Sequence, residues 1–387
     1  MTFPLEIPDV LRRQLPPGTG VLLGISGGVD SAVTLALLKA LECDVQCVTF
    51  KNFCYSEDQI DLTEKSCCSL EAIDDARRLA HSFDAPHWVG NVEEPFREQV
   101  IDPFVSDFLL AETPNPCLAC NSVVRFPELV RLADRQGCAF AATGHYARIG
   151  GQGSEARLLR GLDEGKDQSY FLHRISPQLF PRMVFPLGWY VKPQVRQAAR
   201  ELGLTVAEKR DSQEICFVPD GDRGFLFADQ PGMPATEPGN IVNRQGEVLG
   251  RHRGLVHYTV GQRKGLGVAA AEPLYVFKLD LARRELVVGS KADLRQGHLL
   301  ANDFQAAGPD FPAVWTDSGA EQPVVVRIRH RHPGARVKGW QLSGGNIRLE
   351  MTDFIDGPTP GQACVLYRGD EVLGGGRILK NQERDHG

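Results

Sequence analysis

The chain has 387 residues, 42% apolar and 24% charged, which places it in the ordinary globular range with length for two or three separate cores. Its formal charge of −6 offers nucleic acid no global attraction, so any RNA binding must come from local basic stretches. No apolar run reaches the ~18 residues of a bilayer span, and the start MTFPLEIPDVLRRQLPPGTG has no apolar core of a signal peptide; together these predict a cytoplasmic protein with no membrane partner.

Ten cysteines, several clustered and most in apolar stretches, do not form the evenly spaced framework of a small secreted domain. A reducing compartment suits them and leaves thiols for catalysis or metal. In chain order, Val21-Leu22-Leu23 reads as a buried strand, followed by a glycine turn, an amphipathic helix from Ser31 to Leu41 and a second strand from Val45 to Phe50. This is the opening of a doubly wound parallel sheet. Helical patterning recurs over 70–83, 96–110 and 126–136, with strand-like runs at His87-Trp88-Val89 and Ala139–Ala142. The pattern predicts one α/β domain over 1–216. Short β-rich runs separated by Gly and Pro then predict a small central β-rich domain over 217–295 and a C-terminal β-barrel over 296–387.

Ser26-Gly27-Gly28-Val29-Asp30-Ser31 follows the first strand and opens the first long helix. Glycines there turn N–H groups toward an anion at the positive end of the helix. With Gly24 and Ile25 this is a candidate phosphate site. It lacks the Gly-Lys-Ser/Thr of a Walker loop and the spacing of a dinucleotide fingerprint, which disfavours a GTPase or dehydrogenase. Thr143-Gly144-His145-Tyr146 ends a later strand, at the edge where parallel sheets bind ligands. Cys120 lies in TPNPCLACN, after a proline-rich turn and before a helix, where a thiol's pKa is lowered. Cys216 lies in DSQEICF at the end of the α/β region. Taken singly, each reads equally well as a small core residue.

SGGVDS resembles the signature of the PP-loop ATP pyrophosphatases, which implies ATP as co-substrate, Asp30 as a Mg²⁺ ligand through the phosphates, Phe50 beside the adenine and Gly144 where backbone approaches ATP. Behind it, TPNPxxxCN, ATGHYAR, LLRGLDEGKDQSYFL, DSxxICF and YTVGQRKGLG occur in order. Together these resemble the tRNA-specific 2-thiouridylases, from about Gly20 to the C-terminus. The resemblance implies Cys120 as nucleophile and Cys216 as persulfide carrier. It implies adenylation of the O2 carbonyl of a wobble uridine, sulfur attack at C2, and a Cys120–Cys216 disulfide at the end. The implied partners are the tRNA anticodon arm and a persulfide carrier or cysteine desulfurase system. The implied tRNA contacts are Asn115, Pro116, His145, Lys166, Asp167, Gln168, Arg329, His330 and Gln362.

One position departs from the pattern: Cys117 stands where the family commonly has an acid/base Asp. Cys117, Cys120 and Cys216 make three thiolates, the set with which related PP-loop enzymes hold an iron–sulfur cluster, so acid, ligand and bystander all stay open for Cys117. Cys54, Cys67 and Cys68 read either as sulfur relays or metal ligands beside the nucleotide, or as packing. Cys43, Cys47, Cys138 and Cys364 read as core. The basic run from Arg327 to Lys338 predicts a strand with Arg327, Arg329 and Arg331 on one face to grip phosphates, and His330 and His332 on the other. Two other readings compete: a different PP-loop adenylating ligase with structural cysteines, and a non-catalytic RNA-binding protein.

Overall fold

Val21, Leu22 and Leu23 are almost wholly inaccessible, which a strand achieves only with neighbours on both edges and cover on both faces. The computed structural model describes residues 3–53, 70–209, 215–218, 224–227, 232–308, 310–317, 319 and 321–380. These fall into two compact units, the first Met1–Val100, Cys117–Gly221 and Asp370–Val372, the second Ile101–Pro116, Asp222–Gly369 and Leu373–Gly387. Cys54, Cys67 and Cys68 lie outside the described residues.

In the first unit, α1 (Asp9–Gln14) precedes β1 (Gly20–Gly24), α2 (Val29–Ala40) and β2 (Asp44–Lys51), and then α3 (Leu70–Ser82) and β3 (His87–Asn91). Helix α4 (Glu93–Phe96) follows; α5 (Asp102–Leu109) belongs to the second unit. Next come α6 (Pro116–Ala119), α7 (Phe126–Arg135), β4 (Phe140–Thr143), the hairpin β5 (Ala147–Gly150) and β6 (Arg157–Arg160), α8 (Ser169–Leu172), β7 (Met183–Val184) and α9 (Lys192–Glu201). The sheet order is β3-β2-β1-β4-β7, parallel throughout. The chain winds outward from β1 through β2 to β3 and returns on the other side at β4. The carboxyl ends of β1 and β4 therefore form a topological switch point, where such sheets bind ligands.

Two helical stretches widen into π turns, Arg97–Ile101 and Cys120–Arg125. Each runs up to a proline two residues on, Pro103 or Pro127. A proline has no N–H to give to the carbonyl one turn back, so the ladder slips by a residue there.

In the second unit, β8 (Gly239–Asn243), β9 (Val248–His252), β10 (Tyr275–Asp280) and β11 (Glu285–Gly289) form a sheet of order β10-β11-β8-β9. It buries Ile241, Leu255, Val276, Leu286 and Val288, with Ala111 from the segment after α5 in the same core. Strands β12 (Arg295–Ala306), β13 (Val314–Thr316), β14 (Val324–Arg327), β15 (Ala335–Ser343), β16 (Asn346–Asp356), β17 (Ala363–Arg368) and β18 (Glu371–Ile378) follow. The path β12-β16-β15-β14-β17-β18 closes by β12–β18 pairing into an antiparallel barrel around Val324, Val326, Leu349, Cys364 and Leu366. The doubly wound sheet and the barrel are as the sequence predicts. The segment 101–116 joins the β-rich unit, because Phe108 packs on Phe227 with ring centroids 6.1 Å apart and Arg377 bridges Asp107 and Glu112.

The basic run corrects one expectation. Strand β14 ends at Arg327, and 328–334 form a turn, so the alternation of arginines and histidines does not hold. Arg329 and Arg331 are exposed and His332 is buried, its Nδ1 accepting the N–H of Gly334 at 3.1 Å. Pro333-Gly334 imposes the turn; Gly334 has φ +103°, a conformation that L side chains rarely adopt.

Candidate active site

The turn between β1 and α2 is held by its own residues. Gly27 has φ +65°, and a Cβ there would come within 3.0 Å of the Cβ of Asp75. The Ser31 hydroxyl donates to the Gly28 carbonyl at 3.0 Å and accepts from the Ser26 N–H at 3.4 Å. Gly28 caps α2 with no side-chain bond, so no side chain competes with an anion for the first N–H groups of the helix. At Gly144 a Cβ would lie 2.9 Å from the Asp30 carbonyl carbon and 3.0 Å from the Ser31 nitrogen. Glycine there lets the end of β4 close against the phosphate loop.

A cavity of about 190 Å³ opens at these carboxyl ends. Of the predicted nucleotide residues, Gly24, Ile25, Ser26, Asp30, Ser31, Phe50 and Gly144 line it, while Gly27, Gly28 and Val29 shape the turn behind. His145 and Gln168, expected to meet RNA, line the same cavity. Thr143, from the motif expected at the ligand-binding edge, lines it too, and Thr49, Asn52 and Arg125 also line it and were not anticipated. Thr49 and Asn52 carried a weak signal, a polar residue at the carboxyl end of an apolar strand; Arg125 carried none. The ring of Phe50 lies where a Cβ on its β3 partner Gly90 would come within 2.9 Å, so Gly90 makes room for it.

Asp30 is the acidic residue of the loop. Tyr146 donates its hydroxyl to Asp30 Oδ1 at 2.8 Å, and the Lys192 ammonium donates to both carboxylate oxygens at 2.7 and 2.8 Å. His145 is packed between Phe126 and Phe185, with its Nδ1 2.7 Å from the Thr143 hydroxyl. Burial, with the Arg125 charge adding to it, pushes its imidazole pKa down to about 3. A neutral ring at physiological pH can hydrogen-bond or stack without adding charge to the cleft.

Cys120 is buried and opens the π turn, the fifth residue from the start of α6, so the helix start belongs to Pro116 and the exposed Cys117 instead. This corrects the expectation of Cys120 at a helix N-terminus. Cys216 is half-buried. Its neighbour Phe217 packs on Phe96 at 5.8 Å and Phe53 at 6.4 Å, and Phe53 stacks on Phe96 at 6.0 Å. Helix α4, which carries Phe96, packs against the π turn of Cys120. Among the described residues no group of three or more His, Cys, Asp or Glu is disposed to hold a metal. Cys117, Cys120 and Cys216 therefore do not form a ligand set for an iron–sulfur cluster in this structure.

Of the remaining expected RNA contacts, Asp167 is turned inward. Its side chain is fully buried, accepting the N–H groups of Gly161 at 3.1 Å and Ser169 at 3.0 Å and pairing with Arg160 at 3.2 Å. It clamps its own turn, in which half-buried Lys166 and exposed Glu164 keep access to solvent. Gln168 Oε1 accepts the Tyr146 N–H at 2.8 Å. In the second unit Asn115 is half-buried and Pro116 buried, Arg329 is exposed and His330 half-buried. Gln362 donates from Nε2 to the Thr113 carbonyl at 2.6 Å, and Thr113 donates to the Pro360 carbonyl at 2.9 Å.

Residues 19–220 match the family described as tRNA methyl transferase HUP domain, 232–290 its PRC-barrel domain, and 309–378 the aminomethyltransferase beta-barrel domain. A tRNA-specific 2-thiouridylase MnmA of Geobacter metallireducens is 44% identical over 364 residues, covering 92% of this chain and 96% of that one. One of Heliobacterium modesticaldum is 42% identical, covering 93% and 92%. Among solved structures, the NMN synthetase of Francisella tularensis is a remote likeness, 17% identical with a TM-score of 0.34, covering 53% of this chain and 73% of that one. The family descriptions speak of methyl transfer, but relatives this similar over nine-tenths of the chain are the nearer guide. The chain belongs to the family of tRNA-specific 2-thiouridylases.

Proposed function

We propose that this protein is an ATP-dependent tRNA uridine 2-sulfurtransferase, organised as an adenylating domain followed by a central β-rich domain and a C-terminal barrel. The observation that carries the reading is a phosphate loop at the switch point of a parallel sheet, together with two cysteine segments that both rest on α4.

The loop Ser26–Ser31 and the start of α2 bind the phosphates of ATP, with Phe50 beside the base. Asp30 is a hard oxygen donor suited to Mg²⁺, which when bound screens phosphate charge. The O2 carbonyl of a uridine in the tRNA anticodon arm is adenylated and pyrophosphate leaves. Adenylation is required because a urea-like carbonyl oxygen is a poor leaving group. The terminal sulfur of a persulfide on Cys216, delivered by a sulfur-carrier system, attacks C2 and AMP departs. Cys120 thiolate then attacks the sulfur of Cys216, the sulfur–sulfur bond breaks, and 2-thiouridine is released with a Cys120–Cys216 disulfide. The sulfane sulfur gains two electrons and the two cysteines lose them, so a dithiol reductant must restore the enzyme. Lys166, Gln168, His145, Arg329 and His330 supply RNA contacts in this reading, and Gln362 holds the segment that leads to Asn115 and Pro116. No step passes through an iron–sulfur cluster.

The test is Cys216→Ser with ATP, tRNA and a persulfide donor. Nucleoside mass spectrometry should find no 2-thiouridine, while tRNA affinity stays within about 1 kcal/mol of the parent. Undiminished 2-thiouridine would remove Cys216 from the chemistry.

A further inference from the structure

Cys117 and Cys120 lie three residues apart in one helical run. Helix α6 (Pro116–Ala119) passes directly into the π turn Cys120–Arg125 and then into α7, with Ala119 at φ −62° and ψ −49°. Residues so spaced share a helix face with Cβ atoms about 5–6 Å apart, and a disulfide draws them to about 4 Å. The first turn of a helix is held by fewer ladder bonds than the rest, so it can tighten. Asn121, beside Cys120, is buried and donates from Nδ2 to the Phe171 carbonyl at 3.1 Å. Cys120 is the fixed member of the pair, and Cys117, the second residue of the run, is the adjustable one.

The thiols differ in access. Among the described cysteines Cys117 alone is exposed, whereas Cys120 is 7% exposed and Cys216 half-buried. Burial pushes the thiol pKa of Cys47 and of Cys364 up to about 12, which makes them poor nucleophiles. A disulfide between Cys120 and Cys216 would lie under cover, yet exchange with an outside thiol requires access to one of its sulfurs. The Cys-X-X-Cys spacing puts an exposed thiol one turn from the covered bond.

We propose that Cys117 is the resolving cysteine of the reaction, carrying the disulfide from the covered Cys120–Cys216 pair to the surface. Its thiolate attacks the Cys120 sulfur, the Cys120–Cys216 bond breaks, and the electron pair leaves on Cys216, which takes up a proton. The exchange involves no net oxidation. A dithiol reductant then delivers two electrons to the exposed Cys117–Cys120 disulfide and is itself oxidised to a disulfide, while Cys216 is already open to a new persulfide. This role rests on the sulfur-transfer reading above.

The test is one turnover of the full chain, loaded with sulfur and cleared of donor, with ATP and tRNA but no reductant, followed by acid quench, alkylation and peptide mass mapping. The parent should carry a Cys117–Cys120 disulfide with Cys216 alkylated, and Cys117→Ser should retain Cys120–Cys216. With limiting dithiothreitol, the ratio of steady-state to single-turnover rate should fall several-fold in Cys117→Ser. Thermal melts check that the variant is folded. A parent that keeps Cys120–Cys216 with Cys117 alkylated, or that joins Cys120 to a cysteine other than Cys117, overturns the proposal. So does an unchanged ratio, including one in which both rates fall together as loss of a proton donor would make them. If Cys117→Ser makes 2-thiouridine and leaves both Cys120 and Cys216 alkylated, the sulfur-transfer reading itself fails.

Discussion

The ring of Phe217 meets Phe96 edge-on, centroids 5.8 Å apart and planes at 82°. Phe96 is fully buried, and its helix α4 packs against the π turn that Cys120 opens. One aromatic contact thus links the segment of Cys216 to that of Cys120. Phe96→Ala should cost about 3–5 kcal/mol of stability from lost burial and the cavity left behind. Phe217 is buried in the same cluster, and Phe217→Ala removes the ring through which the Cys216 segment is held there. It should lower the yield of the Cys120–Cys216 disulfide on mild oxidation more than it lowers the melting temperature. Equal disulfide yield in parent and Phe217→Ala would show that the aromatic contact does not set the meeting of the cysteines.

A Cβ added to Gly144 would lie 2.9 and 3.0 Å from the backbone of Asp30 and Ser31. Atoms of the main chain cannot swing aside as a side-chain tip can, so Gly144→Ala must push β4 and the phosphate loop apart. ATP affinity should fall at least tenfold, on the order of 1.4 kcal/mol, while the melting temperature drops by only a few degrees. Calorimetric titration with ATP checks this. An unchanged affinity would mean that loop and strand need not stay in register for binding.

The parallel sheet was legible because β1, β2 and β4 are apolar runs, with a glycine turn and a periodic helix after β1, and SGGVDS falls where such a sheet changes direction. The barrel was legible from short β-rich runs separated by Gly and Pro. What escaped was set by contacts distant in sequence. Asp167 reads as a polar loop residue, yet it is buried because the N–H groups of Gly161 and Ser169 converge on it. Lys192 reads as a surface lysine at a helix start, yet it is buried on Asp30, 162 positions away. The basic run read as an alternating strand because Arg-X-Arg spacing matches a two-residue period, and Pro333-Gly334 overrode it.

His332 is 8% exposed, and burial, with Arg329 and Arg327 adding to it, pushes its imidazole pKa from the ordinary 6.5 down to about 4. The folded chain therefore keeps the ring neutral where the unfolded chain binds a proton. Its contribution is complete above about pH 6.5 and is lost as pH falls toward 4, on the order of 1–3 kcal/mol in all. Melting temperature should decline over that window, and His332→Gln should flatten part of the decline. A decline of identical depth in the variant would assign it to other groups.

Arg329 and Gln362 should separate two kinds of RNA contribution. Arg329 is exposed beyond the end of β14 and has the character of a phosphate contact. Arg329→Gln should weaken tRNA binding and lower the slope of log affinity against log salt by about 0.7–0.9, one counterion's worth. Gln362 is committed to the Thr113 carbonyl at 2.6 Å, and Gly361 beside it leaves no room for a Cβ, which would lie 2.9 Å from the Thr113 nitrogen. The turn at 359–362 thereby fixes the residue from which Pro114, Asn115 and Pro116 lead to Cys117 and Cys120. Gln362→Ala should lower turnover more than tRNA affinity and leave the salt slope unchanged, because it frees that segment without removing a phosphate contact. Filter binding across a salt series, with single-turnover thiolation on the same preparations, measures both. If Gln362→Ala shifts the salt slope as Arg329→Gln does, its bond to Thr113 is incidental and its role is to hold RNA.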